Sequence, residues 1–240
     1  KLNNLSSLKI INIPSIMNVL KQRYEKDIIY TFNGNVLISI NPFKKINNLY
    51  CLDKILNTQK PHIFSTAELA YKNINKSNQA ILVSGESGSG KTENTKYILR
   101  YLSNNYGIDD TISKNIILCN HLIECFGNAM TIKNDNSSRF GKFIKIFLNK
   151  DNKIIGANIE NYLLEKSRIT SYNNKEKSYH IFYFYKSLLL SKYQFSENYS
   201  LIENTSDKNI DEFLEPSLLL ETFKLFDFST NDIDIVFYTI

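Results

Sequence analysis

The sequence predicts an α/β fold, with β-hairpins and a buried strand interleaved with helices, and three observations carry that prediction. Two stretches carry paired strand signals on either side of a turn: β-branched and aromatic runs over 28–40 and alternating apolar residues over 142–161. A short apolar run, Gln79 to Ser84, passes through glycines into a segment with helical apolar spacing, the succession expected of a strand buried on both faces, a tight turn and a helix. Several further stretches repeat apolar residues every three to four positions.

The elements follow in order. Leu8 to Glu25 places Ile16, Val19, Leu20 and Tyr24 on one helical face behind Pro14. Ile28 to Phe32 and Val36 to Ile40 flank Asn33-Gly34, a strong hairpin signal, and Asn41-Pro42 ends the second strand because proline removes a ladder donor. Helices are predicted over 62–77, Thr92 to Ser103 (Ile98, Leu99 and Leu102 on one face), about 112–127, and 179–193. A second hairpin joins Lys142–Leu148 to Lys153–Asn161, with Ile144, Ile146 and Leu148 alternating. The stretch 207–240 reads as one or two helices around Pro216.

Composition narrows the class. The 240 residues are 42% hydrophobic, with 15 Tyr, 15 Phe, 8 Gly and 4 Pro, which excludes disordered and collagen-like chains. A chain this long buries a core without disulfides. Cys51, Cys119 and Cys125 form no CxxC pair, and His62, His121 and His180 have no metal-ligand spacing, so small buried thiols in a reducing compartment and no metal cluster are expected. No run approaches the ~18 apolar residues of a membrane span, and no signal-peptide pattern opens the chain, so a cytoplasmic protein is expected. Net charge is +5, but residues 196–240 carry ten acids against two lysines, leaving +13 on the preceding residues. A basic body attracts polyanions, yet nothing in its pattern singles out nucleic acid as a partner.

The strongest chemical signal is Gly85-Glu86-Ser87-Gly88-Ser89-Gly90-Lys91-Thr92. It fits G-x-x-x-x-G-K-[ST] in the strand-to-helix context that the pattern requires. Glycines let the backbone curl so that successive N–H groups face phosphate oxygens, and the helix that follows adds its positive end. In such loops the lysine reaches the β- and γ-phosphates and the Thr hydroxyl ligates Mg²⁺. Asn149-Lys150-Asp151-Asn152 falls short of the guanine-reading N-K-x-D, and no Asp-x-x-Gly occurs, which argues against a GTPase. A small-molecule kinase would need Arg-rich lid elements that are missing. A second polar cluster, Asn134-Asp135-Asn136-Ser137-Ser138-Arg139-Phe140-Gly141-Lys142, reads as a loop whose amides, hydroxyls and guanidinium can close over a triphosphate.

With these residues in view, the chain resembles the myosin motor head over nearly its whole length. Gly85 to Asn94 (GESGSGKTEN) looks like the family's phosphate loop, with Ser89 where Ala is usual. Asn134 to Lys142 matches its first switch residue for residue. Glu124 to Ala129, Leu163 to Arg168 (LLEKSR), Tyr179 to Tyr183 (YHIFY), Asn41 to Lys44 and Pro61 to Phe64 match further family runs in order. Kinesin shares N-x-x-S-S-R but continues differently at both loops.

The resemblance implies a P-loop NTPase-type motor core, a mixed and twisted β-sheet flanked by helices and incomplete in this chain, that binds ATP and Mg²⁺. By matched position, Gly85, Glu86, Ser87, Gly88, Ser89, Gly90, Lys91, Thr92, Glu93 and Asn94 form the phosphate-binding turn and helix start. Asn134 bonds phosphate, Ser137 helps hold the attacking water, Thr92 and Ser138 ligate Mg²⁺, and Arg139 latches onto a second-switch glutamate. Lys91, Ser137 and Arg139 are the implied catalytic set. Asn41, Pro42, Lys45 and Tyr50 are placed on the adenine side, although Asn41 to Tyr50 is one residue longer than usual. His180 and Arg168 read as structural.

The implied organisation over 1–240 is an adenine-side hairpin and loop (27–60), a phosphate-loop strand and helix (79–103), a first switch with its hairpin (134–163), and a helical upper part (164–240). Nothing in the 240 residues resembles the second switch (D-I-x-G-F-E) or the actin-binding half. An excerpt of a larger cytoskeletal myosin heavy chain is therefore expected, with Ala80–Val83 short of neighbouring strands and Arg139 short of its carboxylate. Partners implied are actin and the rest of the heavy chain. A nucleotide-binding piece without turnover is the alternative function.

Overall fold

A computed structural model of the chain describes residues 2–51, 60–184 and 216–239. The chain divides into two compact units, Lys1–Gly107 and Ile108–Ile240.

In the first unit, helix α1 (Ile13–Tyr24) starts at Asn12, whose side chain accepts from the Ser15 amide, with Pro14 in the first turn where its missing N–H leaves no bond unmade. Strands β1 (Tyr30–Asn33) and β2 (Val36–Ser39) pair antiparallel, Asn33 opposite Val36. The turn residues are Gly34-Asn35, and Gly34 sits at φ +58°, the left-handed conformation that primed hairpin turns require. The Arg23 guanidinium, buried behind the hairpin, donates to the carbonyls of Leu2 (2.8 Å) and Tyr30 (2.7 Å), tying α1 to β1.

Helices α2 (Ile63–Asn73) and α3 (Lys91–Tyr106) pack through an aromatic seam. Phe64 stacks on Tyr101 at 4.8 Å and Tyr71 on Tyr106 at 3.4 Å between centroids. The Tyr101 and Tyr106 hydroxyls of α3 donate to the Glu68 carboxylate, Tyr101 at 2.9 Å. Burial raises the Glu68 pKa, but the two phenols and Lys72 outweigh it and hold the carboxyl below its usual range. Ile98, Leu99 and Leu102 are buried on α3 as their spacing predicts, each contributing about 1.5–3 kcal/mol.

Gln79–Ser84 departs from the sequence reading. It forms no ladder with any described residue, and Leu82 is 91% exposed. A parallel strand persists only between neighbours that take its N–H and C=O groups and cover both faces, and among the described residues none does so. The ladders among the described residues are three separate antiparallel pairs. The protein is thus α/β in content, with helices and small antiparallel sheets, and the expected mixed sheet is not formed among the described residues.

In the second unit, α4 (Asp110–Gly127) is capped by Asp109, whose carboxylate accepts from the amides of Thr111 and Ile112. It runs directly into β3 (Asn128–Thr131), paired antiparallel with β4 (Asn134–Ser138). The expectation of a loop at 134–138 is therefore corrected: it is a strand. A Cβ on Gly127 would lie 2.4 Å from the Phe140 ring, so only glycine lets that ring seat against the helix end. Strands β5 (Gly141–Leu148) and β6 (Ile154–Tyr162) form the predicted second hairpin, Gly141 opposite Tyr162. The core gathers Cys125, Ala129, Tyr179, Ile181 and Phe184 against α5 (Pro216–Leu225) and α6 (Thr230–Thr239), which supply Leu219, Phe223 and Ile233. The helix predicted from 179 is seen over 180–184; the rest of it, and 207–215, lie outside the described residues. No helix among the described residues is long and apolar enough to cross a membrane.

Candidate functional site

The glycine turn has the backbone that its sequence demands. Gly88 and Gly90 stand at φ +79° and +91°, conformations that side chains with a Cβ adopt only under strain. Gly90 is the N-cap of α3 and provides no side-chain cap, so the helix start offers amide donors and the positive end of its dipole to an anion. The Lys91 ammonium folds back over the turn and donates to the carbonyls of Gly85 and Glu86, both at 2.7 Å. A cation held over the turn beside a helix start suits an oligophosphate.

Beside the turn lies a cavity of about 510 Å³, wholly within the first unit. Asn41, Pro42, Lys45 and Tyr50 all line it, together with Ser89, Gly90, Glu93 and Asn94, so the two sequence-predicted sets meet here. The hairpin is tied to the turn by Asn41 Nδ2 donating to the Gly88 carbonyl at 2.7 Å. Asn94 adds a second tie, accepting from Tyr30 Oη at 2.9 Å and donating to Ser39 Oγ at 3.2 Å. Asn94 is thus a brace between α3 and the hairpin. Tyr50 bonds Tyr30 hydroxyl to hydroxyl at 3.1 Å and stacks on Tyr97, ring centroids 3.5 Å apart and planes 11° apart. Tyr30, Ser39, Tyr97 and Arg100 were not singled out by the sequence. The stripe Gly90, Glu93, Asn94, Tyr97, Arg100, at steps of three and four on one helix face, is the signal that would have found the last two.

Asn134, Ser137, Ser138 and Arg139 lie in the second unit, on and just after β4. Asn136, between them, is anchored from two sides: its Oδ1 accepts from Asn128 Nδ2 (2.8 Å) and faces His180 Nε2 (3.1 Å). Burial, aided by Lys177, pushes the His180 pKa down to about 4, so the ring is neutral and donates this bond. The Asn134 amide is spent on the backbone of Asn136.

Ser137 is buried and accepts from the Arg139 guanidinium. Arg139, expected to lack the second-switch glutamate, pairs instead with a carboxylate of its own unit, Glu165, at 3.4 Å. Glu165 also takes two bonds from the buried Arg168, at 3.0 and 3.3 Å, and Arg168 reaches Glu176 at 3.1 Å. Burial raises the Glu165 pKa, but the two guanidinium groups prevail and hold it below the usual carboxylate range.

Comparison with known proteins places these features in a family. Residues 2–238 match the family model described as myosin head (motor domain). The chain is 46% identical over 186 residues to unconventional myosin-VI of Bos taurus, covering 74% of this chain and 14% of that protein. It is 38% identical over 262 residues to myosin type-2 heavy chain 2 of Schizosaccharomyces pombe (99% and 12%). It is 44% identical over 217 residues to myosin-1 of Saccharomyces cerevisiae (76% and 11%). The chain therefore spans only about an eighth of the length of these relatives.

Proposed function

Because the chain belongs to the myosin head (motor domain) family, we propose that it is the ATP-binding part of an actin-based motor, hydrolysing MgATP in the complete head. The observation that carries the reading is the junction in the first unit: the Lys91-centred glycine turn opens onto the cavity lined by Asn41, Pro42, Lys45 and Tyr50. Phosphates on the turn and a base in the cavity account for both at once.

In this reading the amides of Gly88 to Thr92 and the Lys91 ammonium hold the β- and γ-phosphate oxygens, releasing Lys91 from its carbonyl partners. Thr92 and Ser138 hydroxyls would hold Mg²⁺, which when bound neutralises charge on those oxygens. Asn134 contributes an amide donor to the phosphates, giving up its bond to the Asn136 carbonyl. Ser137 orients a water for in-line attack, and in the complete head Arg139 latches onto a second-switch glutamate. Nearly all of this is positioning and charge stabilisation rather than covalent chemistry by the protein. Actin and the remainder of a myosin heavy chain are the proposed partners, in the cytoskeleton.

A second reading, binding without turnover, is favoured by one observation: Arg139 is engaged by Glu165 and Ser137 by Arg139, so these switch groups are held internally. Measuring labelled-ATP binding and phosphate release separately distinguishes the two. Binding with release supports the motor ATPase; binding alone supports the second reading; absence of binding contradicts both. In a complete head, Arg139→Ala is expected to spare binding and slow hydrolysis.

A further inference from the structure

We infer that Tyr97, through its stack on Tyr50, selects the base of the bound nucleotide and makes the cavity prefer purines. The inference rests on the ATP-site reading above and adds a specificity-determining residue to it. Tyr97 lines the cavity on the α3 stripe that begins at Gly90. Six residues separate it from Lys91, a rise of about 9 Å along the helix, so phosphates at the helix start and a base beside Tyr97 fit one extended molecule. The Tyr50–Tyr97 pair is close and nearly parallel (3.5 Å, 11°), and Tyr50 is fixed in turn by the Tyr30 hydroxyl at 3.1 Å. Tyr30 is itself held by Asn94. The two rings are thus a preformed aromatic platform. Ordering them costs a ligand little, and stacking rewards the larger π-face of a purine over a pyrimidine. The glycine turn reads only phosphate and supplies no such discrimination.

Equilibrium binding of ATP, a pyrimidine triphosphate and inorganic tripolyphosphate to the full chain tests this, using wild type, Tyr97→Ala and Tyr97→Phe. Tyr97→Ala is expected to weaken ATP about fivefold, the low end of what one stacked base contributes. It should also bring the purine-to-pyrimidine ratio towards one and leave tripolyphosphate binding unchanged, while Tyr97→Phe behaves as wild type. Tyr97→Leu, which fills the space without a π-face, replaces the alanine variant if that variant loses its cooperative melt. An unchanged base ratio in Tyr97→Ala would overturn the inference, as would a parallel loss of tripolyphosphate, which marks a damaged helix. A wild-type chain that binds neither ATP nor tripolyphosphate brings down the site itself, a different result from a failure confined to position 97.

Discussion

Glu165 is bound to Arg139 twice: its carboxylate meets the guanidinium at 3.4 Å, and its amide donates to the Arg139 carbonyl at 2.9 Å. The same carboxylate holds the buried Arg168, so one acidic residue fixes the end of β4 and the turn that follows β6. Glu165→Gln removes the charge from both pairs. Because Glu165 is partly solvent-exposed and its pairs are screened, a loss of about 1–2 kcal/mol is expected. The folded pKa of Glu165 lies below its ordinary value of 4.5, so its contribution is present above pH 4.5 and is lost as pH falls through the folded pKa. Urea unfolding of wild type and Glu165→Gln should therefore differ at pH 7 and converge towards pH 3.

His62 makes the first unit acid-sensitive. Its Nδ1 accepts from the Phe64 amide at the start of α2, so Nε2 carries the proton and donates to the Leu49 carbonyl at 3.0 Å. Burial lowers its pKa to about 4. Protonating Nδ1 destroys the cap. With the folded pKa below the unfolded 6.5, stability is intact above pH 6.5 and falls as pH drops towards 4, by up to about 1.4 kcal/mol per pH unit. His62→Asn, which keeps a capping oxygen and cannot titrate, should flatten that slope in unfolding free energies measured from pH 7 to 4.

At the end of α4, the Phe140 ring occupies the space that a Gly127 side chain would need. Gly127→Ala is expected to cost about 1–3 kcal/mol by overpacking. Phe140→Leu in the same chain should recover part of that loss. A double-mutant cycle with no coupling between the two positions would contradict the contact.

Much of this was legible in the residues, and the departures share a cause. Elements that satisfy themselves locally read true: the hairpin around Gly34, the apolar stripe of α3, and the alternation of Ile144, Ile146 and Leu148 in β5. β4 did not, because Asn134-Asp135-Asn136-Ser137-Ser138 has no apolar alternation and is a strand only by pairing with β3. Gln79–Ser84 erred the opposite way. Its apolar content marks a strand, yet a strand is defined by neighbours, and none of the described residues pairs with it. Side-chain ties across long separations, Glu165 with Arg139 or Tyr50 with Tyr97, leave no periodic trace. The phosphate turn was the easiest to read because glycine at φ +79° and +91° is a backbone requirement written directly in residue type.

Whether the glycine turn is an ATP site is tested most simply by the affinity of the chain for ATP with and without the Lys91 ammonium. Lys91→Ala removes the cation that sits over Gly85 and Glu86 while leaving the glycine turn intact. Titration calorimetry should show saturable ATP binding by wild type and none by Lys91→Ala at the same concentrations, with both proteins melting cooperatively. Equal affinity in the two folded proteins would contradict the account.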